Sequence, residues 1–186
     1  MAIASTYTLL RGARAPAFNL MDTVSGKMLS LETLRSEKAT VIMFLCNHCP
    51  YVKHVNPEIV RIAKDYIPKG ISFIGISSND VAQYPEDGPE EMKMTAKNLG
   101  YTFPYLYDET QSVARAYDAV CTPDFYVFNG TTELIYHGQL DDSRANGHLP
   151  LTGKDLRHTL DCVLSGEEVP WTQRPSIGCS IKWKIV

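Results

Sequence analysis

The sequence predicts an α/β fold with a mixed central sheet flanked by helices, preceded by an extended N-terminal segment and followed by a C-terminal arm. Three observations point there. Residues 39–46 (ATVIMFLC) and 71–77 (ISFIGIS) are short, nearly continuous apolar runs, the pattern of strands covered on both faces. Between them Val52, Val55, Ile59, Ile62, Ala63 and Tyr66 recur at spacings of three and four, one face of a helix. Downstream, Asn129-Gly130 separates two strand-like runs, 124–128 and 132–137, as a hairpin turn would.

The elements follow in order. A strand over 39–46 leads into a helix from Pro50 to about Pro68-Lys69-Gly70, which Pro57 should kink. A second strand covers 71–77. A polar, proline-rich loop over 79–89 precedes a helix to Leu99, which Gly100 ends in a left-handed turn. Tyr105-Leu106-Tyr107 is a short strand, and Asp108 to Gln111 reads as a capping box opening a helix to about Tyr117. After the hairpin, a loop over 138–152 reaches a last helix carrying Leu156, Leu160 and Val163. In the tail Ile177, Cys179, Ile181, Trp183 and Ile185 alternate with Gly178, Ser180, Lys182 and Lys184, a half-buried strand with Cys179 on the apolar face beside Trp183.

Composition bounds the rest. A chain of 186 residues, 44% hydrophobic and 21% charged, is expected to form one globular domain over 1–186, with 166–186 as the arm, and not a disordered or coiled-coil chain. A net charge of −3 with no basic run argues against nucleic acid as a partner. No apolar stretch approaches the roughly 20 residues of a membrane span. The first residues lack the pattern of a signal peptide, so a cytoplasmic location is expected.

Five cysteines, Cys46, Cys49, Cys121, Cys162 and Cys179, are an odd count that suits a disulfide-stapled domain poorly. Cys46 and Cys49 form a Cys-x-x-Cys where the first strand gives way to the first long helix. A helix N-terminus carries free amide donors and partial positive charge, so it favours a thiolate, the form that attacks disulfides. On this reasoning Cys46 is the exposed nucleophile with a depressed pKa, Cys49 resolves, and His48 favours the thiolate when protonated. A structural zinc site would need a second Cys-x-x-Cys or a suitably spaced histidine pair; none is present, and His54 lies too far along the helix. The adjacent Asp141 and Asp142 read as a solvated loop or partners of Arg144. Cys162 reads as packing.

These residues resemble a family. Gly12-x-x-Ala15-Pro16-x-Phe18-x-Leu20, then Gly26-Lys27 with Leu31 and Leu34, Phe44-x-Cys46-x-x-Cys49-Pro50, Pro57 and Thr122-Pro123 resemble the redoxin (AhpC/TSA-like) branch of the thioredoxin fold, over most of residues 12–165. The Cys-Asn-His-Cys site, Gly138 to Arg144 and the tail from Gly178 to Lys184 resemble a bacterial group of uncharacterised thioredoxin-family proteins. The resemblance implies a thioredoxin fold, a catalytic Cys46–Cys49 pair modulated by His48 and Pro50, and a cis proline at Pro123, preceded by Thr122, that presents backbone to substrate. It implies no organic cofactor and no metal. Its partners would be protein or small-molecule disulfides and a thiol reductant.

Two departures matter. Leu45 stands where thioredoxins often carry tryptophan. Counting back from Cys46 or from Cys49, the peroxiredoxin Pro-x-x-x-Thr/Ser-x-x-Cys pattern meets Met43 and Ala39, or Cys46 and Ile42, so its hydroxyl is missing. A dithiol–disulfide oxidoreductase is therefore expected ahead of a thiol peroxidase or a metal carrier. Cys121 and Cys179 are candidates for a third thiol, and the alternating apolar setting of Cys179 predicts a mainly structural role for it.

Overall fold

The computed structural model describes residues 2–170 and 173–185. Its first half holds β1 (Ala2–Ala4), β2 (Asn19–Asp22), β3 (Met28–Ser30), α1 (Leu31–Leu34), β4 (Ala39–Phe44), α2 (Pro50–Tyr66) and β5 (Ile71–Ser77). The second holds α3 (Pro89–Leu99), β6 (Tyr105–Tyr107), α4 (Ser112–Ala116), β7 (Cys121–Thr122), β8 (Asp124–Asn129), β9 (Leu134–Gly138), α5 (Lys154–Ser165) and β10 (Ile177–Ser180). The large sheet runs β3-β2-β6-β5-β4-β8-β9. Strands β4, β5 and β6 are parallel, joined by helical crossovers, and the outer pairings are antiparallel. This is a mixed α/β sheet.

Strand alternation divides the core. Val41, Met43, Phe125 and Val127 point to the face covered by α2, α3 and α5. Ile42, Phe44, Ile74, Ile76, Tyr126 and Phe128 point to the face covered by α1 and α4. Each large side chain fully buried this way contributes about 1.5–3 kcal/mol. The two central strands lie buried in both faces, which is why their sequences are apolar without alternation.

Several expectations are corrected. The first strand ends at Phe44, so Leu45 and Cys46 already belong to the turn. Asp108 caps α4, but not through a capping box: Gln111 is left-handed (φ 62°), and the Asp108 carboxylate accepts from the Ala114 N–H at 2.9 Å and the Ser78 hydroxyl at 2.8 Å. The hairpin is longer than a two-residue turn and puts Thr132 at φ 64°. Gly130 is needed because a Cβ there would lie 1.9 Å from the Glu37 carbonyl oxygen. Asp141 is buried, accepting from the N–H groups of Ser143, Thr152 and Gly153 at 2.6–2.8 Å. Asp142 instead meets Lys154 and Arg174.

A second, three-stranded sheet of order β1-β10-β7 carries the tail across the molecule, antiparallel to both neighbours. β10 ends at Ser180, and the expected alternation fails within it: Ile177 is exposed, Gly178 is buried, and Cys179 and Ser180 are both half-buried. Ile177 and Ile185 are exposed; Cys179 packs with the α2 face of the core, whereas Ile181 and Trp183 pack on the opposite face. Cys179 thus does not share a face with Trp183. Among the described residues no helix is long and apolar enough to cross a membrane.

Candidate active site

The turn between β4 and α2 carries both cysteines. Leu45 is still tied to β5 through its N–H and the Ile76 carbonyl at 2.9 Å, which fixes Cys46 just beyond the sheet edge. Cys49 caps α2, and Pro50 takes the first helical position, where a missing N–H costs nothing. The expected exposure of Cys46 is not found: Cys46 and Cys49 are 1% and 0% exposed.

Opposite the turn lies the Thr122–Pro123 bond, which is cis. Thr122 touches both sulfurs. Its Oγ1 is 3.3 Å from the Cys46 sulfur, and the Cys49 thiol donates to its carbonyl oxygen, also at 3.3 Å.

A third group was not legible in the sequence. Asp87, fully buried, ends a short 3-10 turn in the loop before α3. Its Oδ1 accepts from the N–H groups of Asn47 at 2.7 Å and His48 at 3.2 Å. Its Oδ2 meets His48 Nδ1 at 2.6 Å and accepts from Asn79 Nδ2 at 2.7 Å. The His48 ring also stacks on Tyr84, with centroids 5.0 Å apart. Only chain folding across about forty residues brings Asp87 here; no local motif marks it.

Asp87 overturns the expected electrostatics. It takes the turn amides that were to stabilise a Cys46 thiolate. The Cys46 thiol is pushed up by its hydrogen bond with Cys49, by burial and by the Asp87 charge. Cys49 is instead pulled down to about 5, by Cys46 first and then by Cys179 and the Val52 N–H, against a desolvation penalty. The Val52 N–H leans toward the sulfur without closing a full cap hydrogen bond. The pair therefore loses one proton readily and holds the other, two steps that belong to both sulfurs together.

The remaining predicted residues divide. Cys179, on β10, stands across from Thr122 on β7, and Ser180 across from Cys121. Burial, Asp124 and the neighbouring sulfurs push the Cys121 thiol up, so it stays protonated. Cys162 is buried in α5, as expected of packing. Cys46, His48 and Asp87 offer donor atoms within 4.8 Å of one another, the set nearest to a metal site among the described residues. The His48 and Asp87 atoms are already bonded to each other.

The AhpC/TSA family profile matches residues 11–137. The chain belongs to the AhpC/TSA family. Two solved bacterial structures resemble this AhpC/TSA chain over its whole length. One is an uncharacterised conserved protein from Geobacillus kaustophilus, 57% identical, with a TM-score of 0.98, covering 100% of this chain and 98% of that one. The other is a hypothetical protein from Sinorhizobium meliloti, 40% identical, with a TM-score of 0.95 and coverage of 98% and 99%. The thioredoxin domain of a thiol-disulfide oxidoreductase from Bacteroides vulgatus, 18% identical, aligns with a TM-score of 0.60 over 74% of this chain and 91% of that one, which identifies a thioredoxin fold. A search of curated proteins returns no match.

Proposed function

We propose that the chain is a thiol–disulfide oxidoreductase whose working couple is Cys46–Cys49. The observation that carries this reading is Thr122, whose side chain and carbonyl contact one sulfur each at 3.3 Å beside a cis proline. In the reduced couple one proton is shared. When it sits on Cys49, Cys46 is the thiolate and attacks a substrate disulfide, forming a mixed disulfide. The Cys49 thiol protonates the departing sulfur, then attacks Cys46, closing Cys46–Cys49 and releasing the second substrate thiolate. A thiol reductant reopens the bond. An odd count of five cysteines suits a reducing compartment better than a disulfide-stapled secreted domain.

Insulin reduction with dithiothreitol as electron source tests the reading. Cys46→Ser should abolish turnover and Cys49→Ser should accumulate a mixed disulfide. Wild-type turnover in both variants would refute the couple. The Thr122 hydroxyl favours one second reading, because it brings to Cys46 the kind of group that the local peroxiredoxin motif lacks. Under that reading Cys46 reduces peroxide, and peroxide consumption lost in Thr122→Val would support it.

A further inference from the structure

We propose that Cys179 is a third redox thiol of this site, taking the active-site disulfide from Cys49, so that the C-terminal strand serves as the couple's built-in exchange partner. The inference rests on the Cys46–Cys49 couple proposed above and goes beyond it in naming where the disulfide moves next.

The geometry is that of a strand pressed onto the site. β10 pairs antiparallel with β7, and the register sets Cys179 directly across from Thr122, the residue that touches both sulfurs of the couple. Gly178 makes the approach possible: a Cβ there would lie 1.9 Å from the Thr122 carbonyl oxygen and 3.1 Å from Pro123. On its other edge β10 is held by β1, with Ala2 across from Cys179. Cys179 packs against the cluster that contains Cys46 and Cys49, and its thiol bears on Cys49.

Two consequences follow. The backbone edge of Cys121–Thr122 is already paired, so an incoming polypeptide cannot add a strand there while β10 is in place. Cys179 is also the one half-buried cysteine; Cys46, Cys49, Cys121 and Cys162 are buried. It is the sulfur through which an outside thiol can reach the couple.

The exchange balances without an outside oxidant. The Cys179 thiolate attacks the Cys49 sulfur of the Cys46–Cys49 disulfide. The Cys49–Cys179 bond forms, the Cys46–Cys49 bond breaks, and Cys46 leaves as a thiolate that takes up the proton Cys179 gave. Burial and Cys49 hold the Cys179 proton on in the reduced protein, and Lys182 opposes them. Once Cys49 is in a disulfide its charge is gone, and attack becomes easier. A dithiol reductant then attacks Cys179, releases Cys49 as a thiolate, and closes its own disulfide to free Cys179.

The test is to oxidise the full chain with one equivalent of diamide, block free thiols with N-ethylmaleimide in acid, and map disulfides by mass spectrometry. Wild type should contain both Cys46–Cys49 and Cys49–Cys179, and Cys46→Ser should give Cys49–Cys179 alone. Cys179→Ser and Cys179→Ala should keep Cys46–Cys49, with re-reduction by dithiothreitol slowed roughly tenfold or more. If Cys179 stays fully alkylatable in oxidised wild type and Cys46→Ser, and both Cys179 variants are re-reduced at the wild-type rate, the relay is overturned while the couple stands. If Cys46–Cys49 never forms and insulin is not reduced, the couple itself is wrong and the relay falls with it.

Discussion

Gly178→Ala is expected to pry the tail off the site. The new Cβ would sit 1.9 Å from the Thr122 carbonyl oxygen and 2.6 Å from its carbonyl carbon, both backbone atoms that cannot rotate away. Reaching an ordinary contact of 3.4 Å requires β10 to retreat by about 1.5 Å. A shift of that size takes the hydrogen bonds between β10 and β7 beyond bonding distance. Each lost bond costs about 0.5–1.5 kcal/mol, and steric strain of this kind about 1–3 kcal/mol, so the docked tail should weaken by roughly 2–4 kcal/mol. Each 1.4 kcal/mol is about tenfold in the opening equilibrium, so native-state alkylation of Cys179 should accelerate at least tenfold. Urea unfolding of the reduced protein and timed alkylation with a maleimide read both quantities. A stability change under about 0.5 kcal/mol together with unchanged alkylation of Cys179 would show that β10 tolerates a side chain at this position and is not held there by close approach to Thr122.

Other expectations follow from the same site. The first thiol of the pair titrates near 5, so the midpoint potential should fall by about 30 mV per pH unit between pH 6 and 8, not the roughly 59 mV of a couple that takes up two protons; a slope of 59 mV through pH 8 would contradict the split. The folded value of Cys49 lies below the roughly 8.5 of an unfolded thiol, so its contribution to the reduced protein grows as pH rises from about 5 to 8.5 and is lost as pH falls through 5. Denaturation of the reduced chain against pH checks this, with the Cys49→Ala variant lacking the trend. Asp87→Asn keeps the size of the side chain but removes the charge that both His48 and the turn amides use. It should cost about 1.5–3 kcal/mol in unfolding experiments while making the second thiol easier to ionise.

The two central strands and α2 were legible because burial on both faces, or on one helical face, leaves its pattern in consecutive residues. The Cys-x-x-Cys was legible for the same reason: the end of β4 at Phe44 and the start of α2 at Pro50 lie close together in the chain. Asp87 was not, since its role depends on a loop folding back onto a turn some forty residues earlier. Cys179 was assigned the wrong neighbours because a period of two assumes one core behind one continuous strand. Here the strand stops at Ser180, and the chain passes from one face of the core to the other between Cys179 and Ile181.

Asn79 ties these distant pieces into a single chemical liability. Its Nδ2 donates to Asp87 at 2.7 Å while its Oδ1 accepts the Lys182 N–H at 2.8 Å, so each end of one amide has a fixed polarity. Deamidation to aspartate would set a second carboxylate against Asp87 and remove the only donor facing it from that side chain. The cysteine turn would lose that anchor, while the Lys182 N–H would still have a carboxylate oxygen to accept it. Chemical ageing at this buried amide should thus loosen the cysteine turn and spare the tail, and deamidated fractions of a stored sample should be alkylated at Cys46 and Cys49 faster than intact ones.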